Sequence, residues 1–280
     1  MRSSFVNVDG IRTHYLEAGR GMDVVMLHSG EFGGCAELSW EFNLQALARH
    51  FRVIAPDWLG FGRTAKLHDF ENFPGRMLSH MRRFVEAKCI ERAVFIGNSM
   101  GGSYLARAMA SATPMFAARA IVLASGGGFT PFNDARKLLL DYDCSREAMK
   151  GMLHALFHGA KWPADEAYLD RRHELSLIPG AWECAAAARL KSPATERKQD
   201  SFGQPDSTPY ELISVPTLIV AGANDKLRLP GYADELARRI PNAELHVFED
   251  CGHCPNIERA ERFNAVVIEF LKRIEASAAG

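Results

Sequence analysis

The sequence predicts an α/β fold: a mostly parallel, doubly wound sheet with an inserted helical cap. Three observations carry this reading. Nearly continuous apolar runs recur along the chain, "DVVMLHS", "FRVIAPD", "RAVFIGNS", "AIVLAS", "PTLIVAG" and "ELHVFED", each ending in Gly, Ser or Asp. Between them apolar residues fall at helical spacing, as at Met77, Met81, Phe84 and Val85, with Lys88 at the edge of the stripe. From about Phe129 to Thr208 the alternation stops, and helical patterns continue with no strand until "PTLIVAG".

Taken in order, "SFVNV" and "RTHYLEAG" flank Asp9-Gly10, a pair suited to a two-residue turn, and predict an antiparallel hairpin. The six apolar runs after the hairpin read as buried parallel strands, because strands covered on both faces lose the polar alternation of half-exposed ones. Helices are expected near residues 40–49, 77–88, 100–112, 231–240 and 258–276. Strands alternating with helices give a parallel sheet covered on both sides. Within the insertion, "SREAMKGMLHALFH" and "DEAYLDRRHELS" read as helices, and "LKSPATERKQDSFGQPDSTP" as the loop returning to the core. The expected division is a core of residues 1–128 and 209–280 and a cap of residues 129–208.

A chain of 280 residues, 47% hydrophobic and 24% charged, can bury the core of one α/β domain with an insertion. Lys and Arg number 33 against 34 Asp and Glu, and no basic run is interleaved with aromatics, which argues against a nucleic-acid partner. No apolar run approaches the roughly 18 residues needed to cross a bilayer, and "MRSSFVNVDG" has no signal-type apolar stretch. Six scattered cysteines fit reduced thiols, so a cytoplasmic protein without a membrane partner is expected.

The chemistry centres on "FIGNSMGGSYLARAMA". Gly97-Asn98-Ser99-Met100-Gly101 fits Gly-x-Ser-x-Gly between a predicted strand and a predicted helix, where a serine on a strained turn can act as nucleophile. The plainer reading is a glycine-rich turn with a serine N-cap. Residues further along the chain favour the nucleophile. A serine nucleophile needs a base, an acid that orients the base, and donors for an oxyanion. Asp225 stands just past the strand in "TLIVAGANDKL", and His253 just past the final strand in "LHVFEDCGHCPN". Asp250, three residues from His253, is a rival acid better suited to shaping that loop. The expected oxyanion donors are the backbone N–H groups of Met100 and of Gly30 in "MLHSGEFGG", with Ser29 beside them.

Cys251 and Cys254 bracket His253 in Cys-Gly-His-Cys, a tetrapeptide also used by dithiol redox proteins. A thioredoxin-like site opens the first helix of a small domain, whereas the chain after Cys254 suffices for one helix. A zinc site of Cys251, His253 and Cys254 lacks a distant second set of ligands. The tetrapeptide therefore reads as a histidine base with two cysteine neighbours.

The order "HSG", "GNSMGG", "AGANDK", "CGHC" resembles the α/β-hydrolase fold across essentially the whole chain. More narrowly, "FVNVDGIRTHYLEAGRG", "ARHFRVIAPDWLGFGRTAK", "GNSMGG", "DYDCSREAMK" and "RRHELS" resemble the meta-cleavage product hydrolases, which hydrolyse a carbon–carbon bond in dienoates formed by ring-opening of catechols. The resemblance implies a small-molecule dienoate substrate, no metal or organic cofactor, and a homo-oligomer. It also implies that Arg172 contacts the substrate, since a guanidinium fork can hold a carboxylate and its neighbouring oxygen; Arg171 and Arg189 are the other candidates. Asn98 either orients the substrate's polar end or holds the turn by a local side-chain bond. Two positions depart from the family: Cys254 where tryptophan often follows the histidine, and Ser29-Gly30-Glu31-Phe32 where Gly-Gly-Gly-Pro is common. Both border the substrate, so Ser29, Asn98, Arg172 and Cys254 are the candidate substrate contacts. A carboxylesterase with the same triad is the alternative enzyme, and a slow ligand receptor on the same fold the alternative of another class.

Overall fold

The computed structural model describes residues 1–187 and 202–277. Its strands are β1 (Arg2–Val8), β2 (Ile11–Ala18), β3 (Asp23–Leu27), β4 (Arg52–Pro56), β5 (Ala93–Asn98), β6 (Ala118–Ala124), β7 (Thr217–Gly222) and β8 (Ala243–Phe248). They form one sheet in the order β1-β2-β4-β3-β5-β6-β7-β8. The first two strands pair antiparallel through a turn in which Asp9 and Gly10 both take positive φ, 50° and 86°. Strands β4, β3 and β5 to β8 are mutually parallel.

The continuous apolar runs supply both faces of this sheet. Val24 and Met26, Val94 and Ile96, and Leu218 and Val220 point into one buried cluster; Val25 and Leu27, Phe95, and Ile219 point into the other. Strand β8 differs from expectation. It pairs only with β7, and all of it but Phe248 is partly or largely exposed, because an edge strand has no second neighbour.

The helices of the core are α1 (Ala36–Ser39), α2 (Leu44–Leu47), α3 (Phe73–Ala87) and α4 (Met100–Met109). The single helix expected near residues 40–49 is thus two short ones. Between them, the Asn43 side chain donates to Asn256 O at 2.8 Å and Asn264 Oδ1 at 2.9 Å, tying this turn to the C-terminal end of the chain. Lys88 caps the C-terminus of α3, where its amine reaches Tyr15 Oη at 2.9 Å and Glu17 at 3.1 Å.

Between β6 and β7 lie α5 (Asp134–Leu140), α6 (Arg146–Leu156), α7 (Lys161–Ala164), α8 (Glu166–Ser176) and α9 (Ala181–Ala186), with no strand among the described residues. Asn133, Ser145 and Asp165 cap α5, α6 and α8 through their side chains. Most of the expected return loop, and Arg189, lie outside the described residues. Helix α10 (Tyr232–Arg239) precedes β8; α11 (Pro255–Glu258) and α12 (Ala260–Ser277) follow it, so the helix expected over 258–276 is preceded by a separate turn that ends at Arg259. No helix among the described residues is long and apolar enough to cross a membrane.

Asp57, just past β4, fixes the loops above the sheet. Its carboxylate accepts from Ala36 N at 2.8 Å, Arg63 N at 2.8 Å and His14 Nδ1 at 2.7 Å, while 1% of the residue is exposed. Gly62 is required over it, since a Cβ there would lie 2.2 Å from Asp57 Oδ2. Burial alone would raise this carboxyl, but the bond from His14 and the surrounding donors hold it below the ordinary value. Its contribution to stability is therefore present above the unfolded carboxyl's titration and lost as pH falls through the lower, folded value. Asp57→Ala should cost about 3 kcal/mol in urea unfolding at pH 7, because buried donors lose their acceptor. The difference from wild type should shrink as pH falls below the unfolded carboxyl's value of about 4 and through the lower value of the folded one.

Candidate active site

The Gly-x-Ser-x-Gly stretch forms the turn from β5 into α4. Ser99 sits at φ 52° and ψ −113°, a conformation rare for a residue with a side chain. Neighbouring glycines make the crossing possible: a Cβ on Gly97 would lie 2.5 Å from Gly102 N, and one on Gly101 would lie 2.3 Å from Leu27 O. The turn is anchored by Ser99 N donating to Ala124 O at 2.8 Å, and Ser103 N returning to Ser99 O at 2.9 Å.

Two further loops at the carboxyl edge of the sheet meet Ser99. His253 Nε2 lies 2.7 Å from Ser99 Oγ, and His253 Nδ1 lies 2.7 Å from Asp225 Oδ2. The acid and the imidazole are tied together before their side chains meet: Ala223 N donates to Phe248 O at 2.9 Å, and Asn224 N to Cys251 O at 2.8 Å. Gly222 ends β7 because the histidine loop lies on it; a Cβ there would come within 2.0 Å of Gly252 O. Side-chain exposure is 1% for His253 and 2% for Asp225. Burial alone would raise the Asp225 carboxyl, but His253, Arg228 and the Leu227 N–H outweigh it and hold it low. A carboxylate accepting from Nδ1 fixes the tautomer in which Nε2 can take the serine proton. Asp250, the rival acid, has an 81% exposed side chain, and its carbonyl accepts from Arg259 at 2.6 Å, so it shapes the loop.

The loop after β3 completes the cluster. His28 Nδ1 meets Ser29 O at 2.6 Å and its Nε2 accepts from Trp58 N at 2.9 Å, a pairing that needs the neutral ring; burial lowers its pKa accordingly. Gly30 touches Met100, since a Cβ at Gly30 would lie 2.4 Å from Met100 Sδ. Met100 opens α4, where backbone N–H groups have no acceptor within the helix. Ser29 Oγ lies 2.9 Å from Ser39 Oγ.

The candidate substrate contacts divide. Asn98 Nδ2 donates to Ala124 O at 3.2 Å and so holds the turn, while its buried Oδ1 has no protein partner. Arg172 is 1% exposed: Nε donates to Tyr168 Oη at 2.9 Å, Nη1 to Glu31 Oε1 at 3.0 Å, and Nη2 is unpartnered. Arg171 instead pairs with Glu41 and is much more exposed. Cys254 lies in an apolar cluster with Phe32 and Leu227 from the core loops, Ile257 of α11, and Phe157, Trp162 and Tyr168 from the inserted segment. Burial, followed by the Glu31 charge, pushes its thiol well above the ordinary value, and burial does the same at Cys251. Both stay protonated thiols, without the thiolate that dithiol exchange requires. A surface cleft of about 340 Å³ lined by Arg107, Thr130 and Asp206 contains none of Ser99, Asp225 and His253.

Three contributors escaped the sequence reading. Glu31 lies in a glycine-rich loop, where a buried carboxylate leaves no periodic trace. Tyr168 precedes Arg172 by one helical turn, a spacing legible only once Arg172 matters. Glu258 accepts from Gly252 N at 2.9 Å, Cys254 N at 3.3 Å and His158 N at 2.7 Å, so one carboxylate joins the histidine loop to the inserted segment. His253 N also donates to Leu156 O at 2.8 Å across the same boundary.

Residues 24–266 match the alpha/beta hydrolase family. The chain is 31% identical to the 2-hydroxy-6-oxo-6-(2'-aminophenyl)hexa-2,4-dienoic acid hydrolase of Metapseudomonas resinovorans, over 96% of this chain and 90% of that protein. It is 31% identical to the 2-hydroxymuconate semialdehyde hydrolase of Pseudomonas sp. (strain CF600), over 96% and 93%. Among solved structures, the meta-cleavage product hydrolase from Pseudomonas fluorescens IP01 superposes with a TM-score of 0.85 at 27% identity, over 96% of this chain and 97% of that one. The chain belongs to the alpha/beta hydrolase family, among the hydrolases of meta-cleavage products.

Proposed function

We propose that this protein hydrolyses the carbon–carbon bond of a 2-hydroxy-6-oxo-dienoate from aromatic catabolism, releasing a 2-hydroxydienoate and a carboxylic acid. The observation that carries this reading is the unbroken chain of hydrogen bonds Asp225–His253–Ser99, together with a buried arginine of the inserted helices that pairs with Glu31, next to Gly30 in the loop after β3. The names of the relatives give the substrate class. In this reading the segment 129–208 is a cap, and the enzyme is a cytoplasmic homo-oligomer.

Each residue then has its own task. Arg172 Nη2 receives an oxygen of the dienoate's carboxylate end, and Asn98 Oδ1 faces its hydroxyl. His253 carries the enol proton to the carbon next to the remote carbonyl, which gives a diketone in which the bond between that carbon and the carbonyl can break toward a stabilised carbanion. Ser99, or a water it positions, adds to the remote carbonyl and passes its proton to His253 Nε2. The N–H groups of Gly30 and Met100 hold the oxyanion, and Asp225 stabilises the imidazolium. As the carbonyl re-forms, the bonding electron pair leaves with the dienoate fragment, which takes the proton back from His253. Where serine attacked, water then releases the acid from the acyl ester. Ser29 and Cys254 border the acyl end.

Purified protein should bleach a 6-substituted dienol faster than it hydrolyses a nitrophenyl ester; rapid ester turnover without bleaching would make it a carboxylesterase. Ser99→Ala should lower kcat by about 1000-fold or more in either case. Glu258→Ala, which frees the histidine loop, should lower kcat by roughly tenfold with little change in KM, whereas Glu258→Gln keeps an acceptor and should recover most of it. Equal losses in the two Glu258 variants would show that its hydrogen bonds do not position His253.

A further inference from the structure

We propose that Glu31 sets the charge preference of the site: by pairing with Arg172 it cancels the anion-binding charge, so the pocket distinguishes little between a free carboxylate and its neutral ester. The inference rests on the proposed role of Arg172 in facing the substrate.

Two of the three guanidinium nitrogens are already committed. Nη1 donates to Glu31 Oε1 at 3.0 Å and Nε to Tyr168 Oη at 2.9 Å, which leaves Nη2 as the one guanidinium nitrogen without a partner. A carboxylate that grips Nη2 together with a second nitrogen must share one already bonded to Glu31 or Tyr168. The side chains of the pair are 2% and 3% exposed, so solvent does little to screen either charge. An incoming carboxylate that approaches Nη2 meets a pair of zero net charge, in which repulsion by Glu31 on Nη1 offsets part of the attraction of Arg172. A neutral carbonyl oxygen accepts from Nη2 without that repulsion.

Glu31 is itself held in place. Its carboxylate is within hydrogen-bonding reach of the Ser29 hydroxyl, which meets Ser39 Oγ at 2.9 Å. Burial would raise the Glu31 carboxyl, but Arg172 and Ser29 outweigh it, which keeps the carboxylate ionised. The pair borders the reacting groups through Cys254, whose thiol lies within the electrostatic reach of both Glu31 and Arg172 and which follows His253 directly.

The test is binding to Ser99→Ala protein, read by tryptophan quenching, of a 6-aryl 2-hydroxy-6-oxo-dienoate and its methyl ester at pH 7. With the pair intact, the two Kd values should agree within about fivefold. Adding Glu31→Gln should tighten the acid by about tenfold or more and leave the ester unchanged, and adding Arg172→Gln to that protein should abolish the gain. An acid preference of about a hundredfold with the pair intact would overturn the proposal without any change at Glu31. So would a ratio that Glu31→Gln does not move but Arg172→Gln does, a result that leaves Arg172 as the carboxylate contact. A ratio unmoved by both substitutions, or binding of neither compound, would overturn the proposal together with the reading of Arg172.

Discussion

The backbone at Ser99 is held at φ 52° and ψ −113°, and the arrangement of the site depends on that one strained residue. A serine in relaxed helical or extended geometry would turn its hydroxyl along the sheet or into α4. The strained turn lifts it clear of both. Such a conformation costs about 1–3 kcal/mol and persists only where its surroundings enforce it. Here the enforcement is steric: α4 lies so close to β5 at Gly97, and to the end of β3 at Gly101, that only hydrogen fits at either glycine. The buried strand pairings on either side, with β3 and with β6, give the sheet no freedom to relax.

The remaining parts are brought to Ser99 by backbone ties rather than by their own side chains. The loops after β7 and β8 are joined through Ala223 and Asn224, so Asp225 and His253 arrive already in register. The loop after β3 is fixed from beneath by Asp57 and from the side by His28 and Trp58. Glu258 and the His253 N–H fasten the histidine loop to the helical segment between β6 and β7. Charges near the site are likewise matched locally: each deeply buried carboxylate, Glu31, Asp57 and Asp225, faces a cation, an imidazole or backbone donors.

Much of this was legible in the sequence because it rests on local patterns. The Asp9-Gly10 turn, the continuous apolar strands and the Gly-x-Ser-x-Gly turn each depend on residues a few positions apart. The order of Ser99, Asp225 and His253, each just past a strand, followed once those strands were recognised. Arg172 was found by resemblance, but its partner Glu31 was not, because the contact joins residues far apart in the chain through an inserted segment that sequence spacing cannot orient. Glu258 was missed for the same reason: its acceptor role depends on His158 reaching over from another segment. The break between α1 and α2 follows from Asn43 reaching the C-terminal part of the chain, and the exposure of β8 from its place at the sheet edge; neither position is encoded locally.

That the strained turn makes Ser99 the reactive nucleophile is tested most directly by covalent labelling. Folded protein would be treated with a fluorophosphonate and the adduct located by peptide mass spectrometry. One equivalent of phosphonate on Ser99, abolished when His253 is replaced by alanine, is the expected result. Labelling of a different residue at comparable rate, or no labelling of Ser99 in folded protein that retains hydrolytic activity, would contradict it.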